Sequence, residues 1–184
     1  MMLLLIGVLV LIAGSIAVVY NSLVKLRVLC DNAWADIDVQ LKRRHDLIPN
    51  VVEAVKGYAG FERGTLESVT QARSRAMAAE GPAARGEAEG TLTTALRGLF
   101  AIAEAYPQLR ASEQYSQLQA TLVQVEDAIQ NARRYYNAVV RDFNTRAQQF
   151  PSNLIAGLFS FSAREFFQLS APDEASVPQV KTQI

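Results

Sequence analysis

The chain carries one histidine and one cysteine among its 184 residues, and no Lys, Arg, Asp or Glu before Lys25. One cysteine excludes an intramolecular disulfide framework and any cysteine-based zinc site. One histidine leaves no second imidazole for a histidine-pair metal site. Cys30 and His45 fall on one helical stretch about four turns apart, ~20 Å at 1.5 Å per residue, too far for direct proton transfer. A lipid-modified cysteine normally follows a small residue, whereas Cys30 follows Leu29 in Arg27-Val28-Leu29-Cys30. A buried, inert thiol is expected there. Neither sign of charge is in excess, 18 basic against 18 acidic side chains, so electrostatics gives no argument for nucleic acid. Strand-type alternation is nearly missing. So is a phosphate-binding loop: Gly57, Gly60 and Gly64 lack a preceding strand and a following Lys-Ser/Thr.

What is present starts with the run Met1 to Tyr20, MMLLLIGVLVLIAGSIAVVY, which is apolar and uncharged. Roughly 20 such residues suffice to cross the ~30 Å hydrocarbon core as a helix, the form in which lipid leaves no backbone amide bare. A cleavable signal would want a basic start, a shorter apolar stretch and a small-residue cleavage site. A core helix of a soluble domain would show a polar face. Neither description fits, and a retained transmembrane anchor over 1–20 is expected.

The remainder reads as helices. Leu23, Leu26, Cys30, Trp34, Ile37, Leu41, Ile48, Val52 and Val55 recur at steps of three and four. This seam breaks at Arg44 and His45, and Pro49 predicts a kink or local break between His45 and Ile48. No turn residue separates Tyr20 from Asn21, so the anchor is expected to run into this helix. Phe61, Leu66, Val69, Ala72 and Ala76 form a second stripe. The stretch AAEGPAARGEAEG from Ala78 to Gly90 is rich in breakers and predicts a turn around Gly81-Pro82. Leu92, Leu96, Leu99, Ala103 and Tyr106 make a third helix that Pro107 ends. The fourth is the most regular: Tyr115, Leu118, Leu122, Val125, Ile129, Ala132, Tyr136, Val139 and Phe143, continued by Ala147 and Phe150 until Pro151. Ser112 is its expected N-cap. A helix this long needs comparable partners, which predicts an all-α fold: a transmembrane helix, then an up-and-down four-helix bundle over 21–150. Residues 151–170 form a Phe-rich segment with Phe159, Phe161, Phe166 and Phe167. It either folds back on the bundle or presents a patch to membrane, subunit or partner. Residues 171–184, with Pro172 and Pro178, read as a flexible tail.

No catalytic, cofactor-binding or metal-binding residue emerges, and an enzyme is not expected. Asp31, Asp36 and Asp38 weigh little as a metal cluster, since exposed helix faces are ordinarily charged. Lys42-Arg43-Arg44-His45 spreads around a helix axis. Its place at the seam break is more informative: Arg44 or His45 is expected to face inward and pair with Asn137 or the Tyr136 hydroxyl, a polar layer that fixes register.

Specific strings add to this pattern. They are Tyr20-Asn21-Ser22-Leu23-Val24, Ala33-Trp34-Ala35-Asp36-Ile37-Asp38-Val39-Gln40-Leu41-Lys42-Arg43-Arg44, Asp46-Leu47-Ile48-Pro49-Asn50, Val55-Lys56-Gly57-Tyr58-Ala59, Ala103-Glu104-Ala105-Tyr106-Pro107, Ala132-Arg133-Arg134-Tyr135-Tyr136-Asn137 and Phe150-Pro151-Ser152-Asn153. In these the chain resembles the bacterial LemA family over nearly its whole length. It departs from the family pattern at Gly60-Phe61-Glu62, where a histidine would precede the glutamate. The resemblance implies an amino-terminal membrane helix before a four-helix bundle, with no established activity and no catalytic residues to carry over.

The expectation is therefore a bacterial inner-membrane, single-pass protein whose partners are membrane lipid and other copies of itself. It serves as a self-associating scaffold or, alternatively, as a tethered adaptor that binds another protein. Gly7 and Gly14 allow close helix approach in the anchor. Lys25 and Arg27 favour a cytoplasmic bundle by the positive-inside rule, with a periplasmic bundle as the alternative.

Overall fold

The computed structural model describes residues 1–57 and 63–169. These residues form six helices and no strand: α1 (Met2–Lys56), α2 (Arg63–Ala78), α3 (Pro82–Ala103), α4 (Pro107–Arg110), α5 (Glu113–Gln148) and α6 (Ser152–Leu158). Phe61 of the expected second stripe, the Gly60-Phe61-Glu62 departure and the tail at 171–184 lie outside the described residues. The two helices beyond the sequence expectation are short. α4 is the single turn that starts at Pro107, and α6 starts after Pro151.

The boundaries follow from local chemistry. α1 ends before Gly57, and Gly81, at φ 79°, takes the left-handed conformation that admits glycine most readily. Pro82 then opens α3, where its missing N–H is no loss. Ser112 accepts a hydrogen bond from the Tyr115 amide at 3.4 Å, the N-cap role expected of it.

The chain divides into two compact units. The first comprises Met1–Val39 and Ile129–Phe166. Its buried residues include Leu23, Cys30, Ala33 and Ile37 from α1 and Tyr136, Val139, Val140 and Phe143 from α5. Trp34 lies against Tyr136, ring centroids 5.4 Å apart. The segment after α6 folds back within this unit. Phe161 is buried, and its ring meets Tyr20 at 5.7 Å and Phe143 at 6.4 Å. Asn144 clamps it from both sides of its amide, donating to the Arg164 carbonyl at 2.9 Å and accepting from the Arg164 amide at 2.8 Å. Tyr136 donates its hydroxyl proton to the Glu165 carbonyl at 2.9 Å, and Arg164 pairs with Asp31 at 2.7 Å. The α5 stripe stops short of the expected Phe150, which lies beyond the end of the helix and is exposed.

The second unit comprises Gln40–Ala128 and Phe167–Ile184, described as far as residue 169. Its apolar core gathers Ile48, Val51 and Val55 of α1, Val69, Ala72 and Ala76 of α2, Leu92, Leu96, Leu99 and Ala103 of α3, Leu109 of α4 and Tyr115 and Leu122 of α5. Each full burial of a Val or Leu side chain stabilises by about 1.5–3 kcal/mol. α1 is helical without interruption through Pro49, so the local break expected near His45 is not there. The reason is a substitute hydrogen bond. Proline deprives the carbonyl four residues earlier of its donor, and that carbonyl, on His45, accepts from Arg73 Nε at 2.7 Å.

Candidate functional site

Two features stand out once the core is laid down: a buried charged cluster and an exposed apolar run. The cluster fills the gap that Arg44 and His45 leave in the α1 seam. Extending the leucine seam of α3 backward from Leu99, Leu96 and Leu92 arrives at Glu89, which is fully buried together with Gly86 and Gly90. Arg44, also fully buried, lies 3.7 Å by Nη2 from Glu89 Oε2 and donates from the same nitrogen to the Glu89 carbonyl at 3.2 Å and to Thr93 Oγ1 at 2.9 Å. Its Nη1 reaches both carboxylate oxygens of Glu126 in α5, at 2.9 and 3.2 Å. His45 Nε2 lies 2.7 Å from Glu89 Oε1. With Glu89 ionised, the ring nitrogen is the donor.

The inward placement of Arg44 and His45 agrees with the sequence reading; the partners do not. Glu89, Thr93 and Glu126 take the roles assigned to Tyr136 and Asn137. Tyr136 sits almost three turns further along α5 than Glu126, and its hydroxyl donates to Glu165 instead. Glu89 was hidden in a glycine-rich stretch that reads as a turn. The signal for it was its position one step before Leu92 in the seam. Glu126 had a similar signal, standing four residues after Leu122 and three before Ile129.

Burial pushes the Glu126 carboxyl above its ordinary range. The Arg44 guanidinium opposes this and the Glu89 carboxylate adds to it. Burial likewise raises the Cys30 thiol, against the pull of Arg164. Tyr136 is pushed up to about 12, chiefly by burial. None of these shifts prepares a nucleophile, which would need a lowered thiol or a base beside it.

A groove of about 540 Å³ on the α2–α3 face is lined by Ser68, Gln71, Arg75, Glu87, Thr91 and Thr94, among others, and by none of the cluster residues. This groove does not include the cluster, a buried polar layer in which Arg44 joins α1 to Glu89 of α3 and Glu126 of α5. Asp31 is engaged with Arg164, and among the described residues no three His, Cys, Asp or Glu side chains come together as a metal site.

The apolar run is the opposite case. Every residue from Met1 to Val18 is exposed, and the stretch is long and apolar enough to cross a membrane. Ser15 donates its hydroxyl proton to the Leu11 carbonyl at 2.9 Å, so the hydroxyl of this stretch is satisfied within its own helix.

A family model described as the LemA family matches residues 33–181. The chain belongs to the LemA family. Among relatives of this LemA-family chain, two magnetosome proteins named MamQ from Paramagnetospirillum magneticum are each 25% identical over 176 residues, covering 81% of the chain. The alignment spans 64% of the length of each of these relatives. Protein LemA of Metamycoplasma hominis is 28% identical over 161 residues, covering 85% of the chain and 72% of the relative. The matched family region takes in all of the buried cluster. It begins after the apolar run, at Ala33.

Proposed function

We propose that this LemA-family protein is a non-enzymatic membrane scaffold, held by a single span at Met1–Tyr20 and self-associating through copies of itself. The observation that carries the reading is the exposure of an unbroken apolar helical stretch from Met2 to Val18. Such a surface, far larger than an ordinary exposed patch, is stable only in lipid or against other apolar helices. A methyl group added to the Cα of Gly7 or Gly14 would meet nothing within 4 Å, which leaves room for a second anchor to approach. The helices of the water-facing part pack as a four-helix bundle built on α1, α2, α3 and α5, and the Arg44 layer sets its register. Lys25 and Arg27 favour the cytoplasmic side of the bacterial inner membrane for that part. The names of the relatives, LemA and magnetosome protein MamQ, are not those of enzymes, which supports the non-enzymatic reading.

Light scattering on the detergent-solubilised full chain, corrected for bound detergent, tests this. A defined oligomer that Gly7→Leu with Gly14→Leu dissolves is the expected result; a strict monomer overturns self-association. The α2–α3 groove, where Ala72 and Ala95 lie among polar side chains, favours a second reading, an adaptor that docks another protein. Crosslinking from Arg75 and Glu87 in native membranes separates the two: heterologous adducts there, with a monomeric chain, would select the adaptor.

A further inference from the structure

The Phe-rich segment divides its aromatic side chains between two surroundings. Phe161 turns inward, against Tyr20 and Phe143 and beneath the Arg27 guanidinium at 5.2 Å. The turn that separates it from its neighbours is well defined. Ser160 is left-handed at φ 56°, and the Phe161 amide donates to the Ala156 carbonyl at 2.9 Å, the closing bond of a helix-ending motif. The residues just before it turn outward: Leu158 is 73% exposed, Leu154 62%, Phe159 47% and Phe150 81%. Leu154 and Leu158, four residues apart, share one side of α6. From Ala147 to Ala163 there is no charged side chain.

α6 is tied down on its other side, where Ser152 and Ala156 are buried, and the chain after it is held at Arg164 and Glu165 by Asn144 and Tyr136. The position of this apolar surface along α1 is also fixed. The Phe159 ring meets Tyr20 at 4.8 Å, and the two line a shallow groove with Ala13, Ile16, Ala17 and Asn21. Tyr20 closes the apolar run that begins at Met1, and Tyr and Trp side chains favour the headgroup boundary. A bilayer that takes up the residues before Tyr20 therefore meets Phe159 at that boundary. Leu158 adjoins Phe159, and Leu154 is one turn away.

We propose that α6 and Phe159 form a second contact with the bilayer, a monotopic one, in which Leu154, Leu158 and Phe159 enter the boundary between headgroups and acyl chains beside the span. The occupant is lipid, because the patch is continuous with the exposed face of the membrane helix itself. Apolar area buried at that boundary adds to the hold of a single span and fixes how the body is tilted against the membrane. The inference rests on the reading of Met1–Tyr20 as a span.

The test uses the full chain in lipid vesicles, in a Cys30→Ala background, with an environment-sensitive fluorophore on one introduced thiol at a time. Leu158→Cys and Leu154→Cys report on the patch, Leu9→Cys on the span, and Met77→Cys, 52% exposed on α2, on water-facing surface. The fluorophore at 158 and 154 is expected to lose most of its emission to lipids brominated just below the headgroup and to resist aqueous iodide, whereas that at 77 does the reverse. Iodide quenching at 158 equal to that at 77 overturns the proposal. Shielding from both quenchers at 158 also overturns it, since a second copy of the chain then covers the patch. Quenching at 9 by deeply brominated lipid, with no lipid quenching at 158, defeats this inference and leaves the span intact. No lipid quenching at 9 overturns both.

Discussion

Arg73 Nε donates to the His45 carbonyl at 2.7 Å, and that carbonyl is the one whose helical donor Pro49 removes. A proline inside a helix is thus accommodated by a side chain from the neighbouring helix. Arg73→Leu strands the carbonyl and is expected to cost about 1–3 kcal/mol in chemical denaturation. Pro49→Ala restores the amide, raises stability, and shrinks the Arg73→Leu penalty in the double variant. Equal penalties in the two backgrounds would show that Arg73 does not serve this carbonyl.

Arg44→Met leaves Glu89 and Glu126 facing each other without their cation. The expected loss is about 3–5 kcal/mol, the usual cost of breaking a buried pair from one side. Replacing all three with Met recovers most of that loss, because the desolvation penalty leaves with the charges. Thermal melting of the single and triple variants measures both effects.

Gly86 has no room for a side chain. A Cβ there would sit 2.1 Å from the Gln168 carbonyl oxygen, a backbone atom that has to move to make way. Gly86→Ala is expected to destabilise by about 1–3 kcal/mol. Gly98, in the same helix, has nothing within 4 Å of the same position. Gly98→Ala should stabilise by about 0.5–1 kcal/mol from helix propensity alone. Opposite signs for one chemical change in one helix are the readout.

The raised carboxyl of Glu126 sets a pH dependence. Burial, the largest cause, outweighs the attraction of Arg44, so the folded chain holds this proton at a pH where the unfolded chain, near 4.5, has lost it. Stability from this group is full below the unfolded value and is lost as pH rises through the folded one. Measured from pH ~4 to ~7, which brackets ordinary carboxyl titration, the wild-type chain should lose stability relative to Glu126→Gln. A constant difference would contradict the assignment.

Cys30 is fully buried and its thiol is raised by burial. Since the thiolate is the reactive form, the folded chain should resist maleimide over times in which the denatured chain labels completely. Mass spectrometry of the two samples decides it.

The helical plan was legible because burial on a helix recurs every three to four residues. Leu23, Cys30, Ile37, Leu41, Ile48 and Val55 on α1, and Tyr115 through Phe143 on α5, announce their buried faces by spacing alone. The polar layer was half legible. A gap in an apolar seam points to Arg44 and His45, but their partners lie 45 and 82 residues away, and local periodicity carries no information on pairing. Glu89 was further masked by Gly86 and Gly90, which suggest a turn in sequence yet lie buried within the helix. Arg73 was invisible for another reason: its partner is a backbone atom, and only the proline four residues on hints that the atom is available.

The passage from exposed apolar run to packed seam within α1, without a linker, gives that run a rotational phase. One residue inserted near Val19 would turn everything before it by about 100° relative to Leu23 and Cys30, while seven would nearly restore the original heading. A flexible tether would absorb either insertion unnoticed. In this protein, the azimuth of the exposed apolar run is written in the residue count of a single helix.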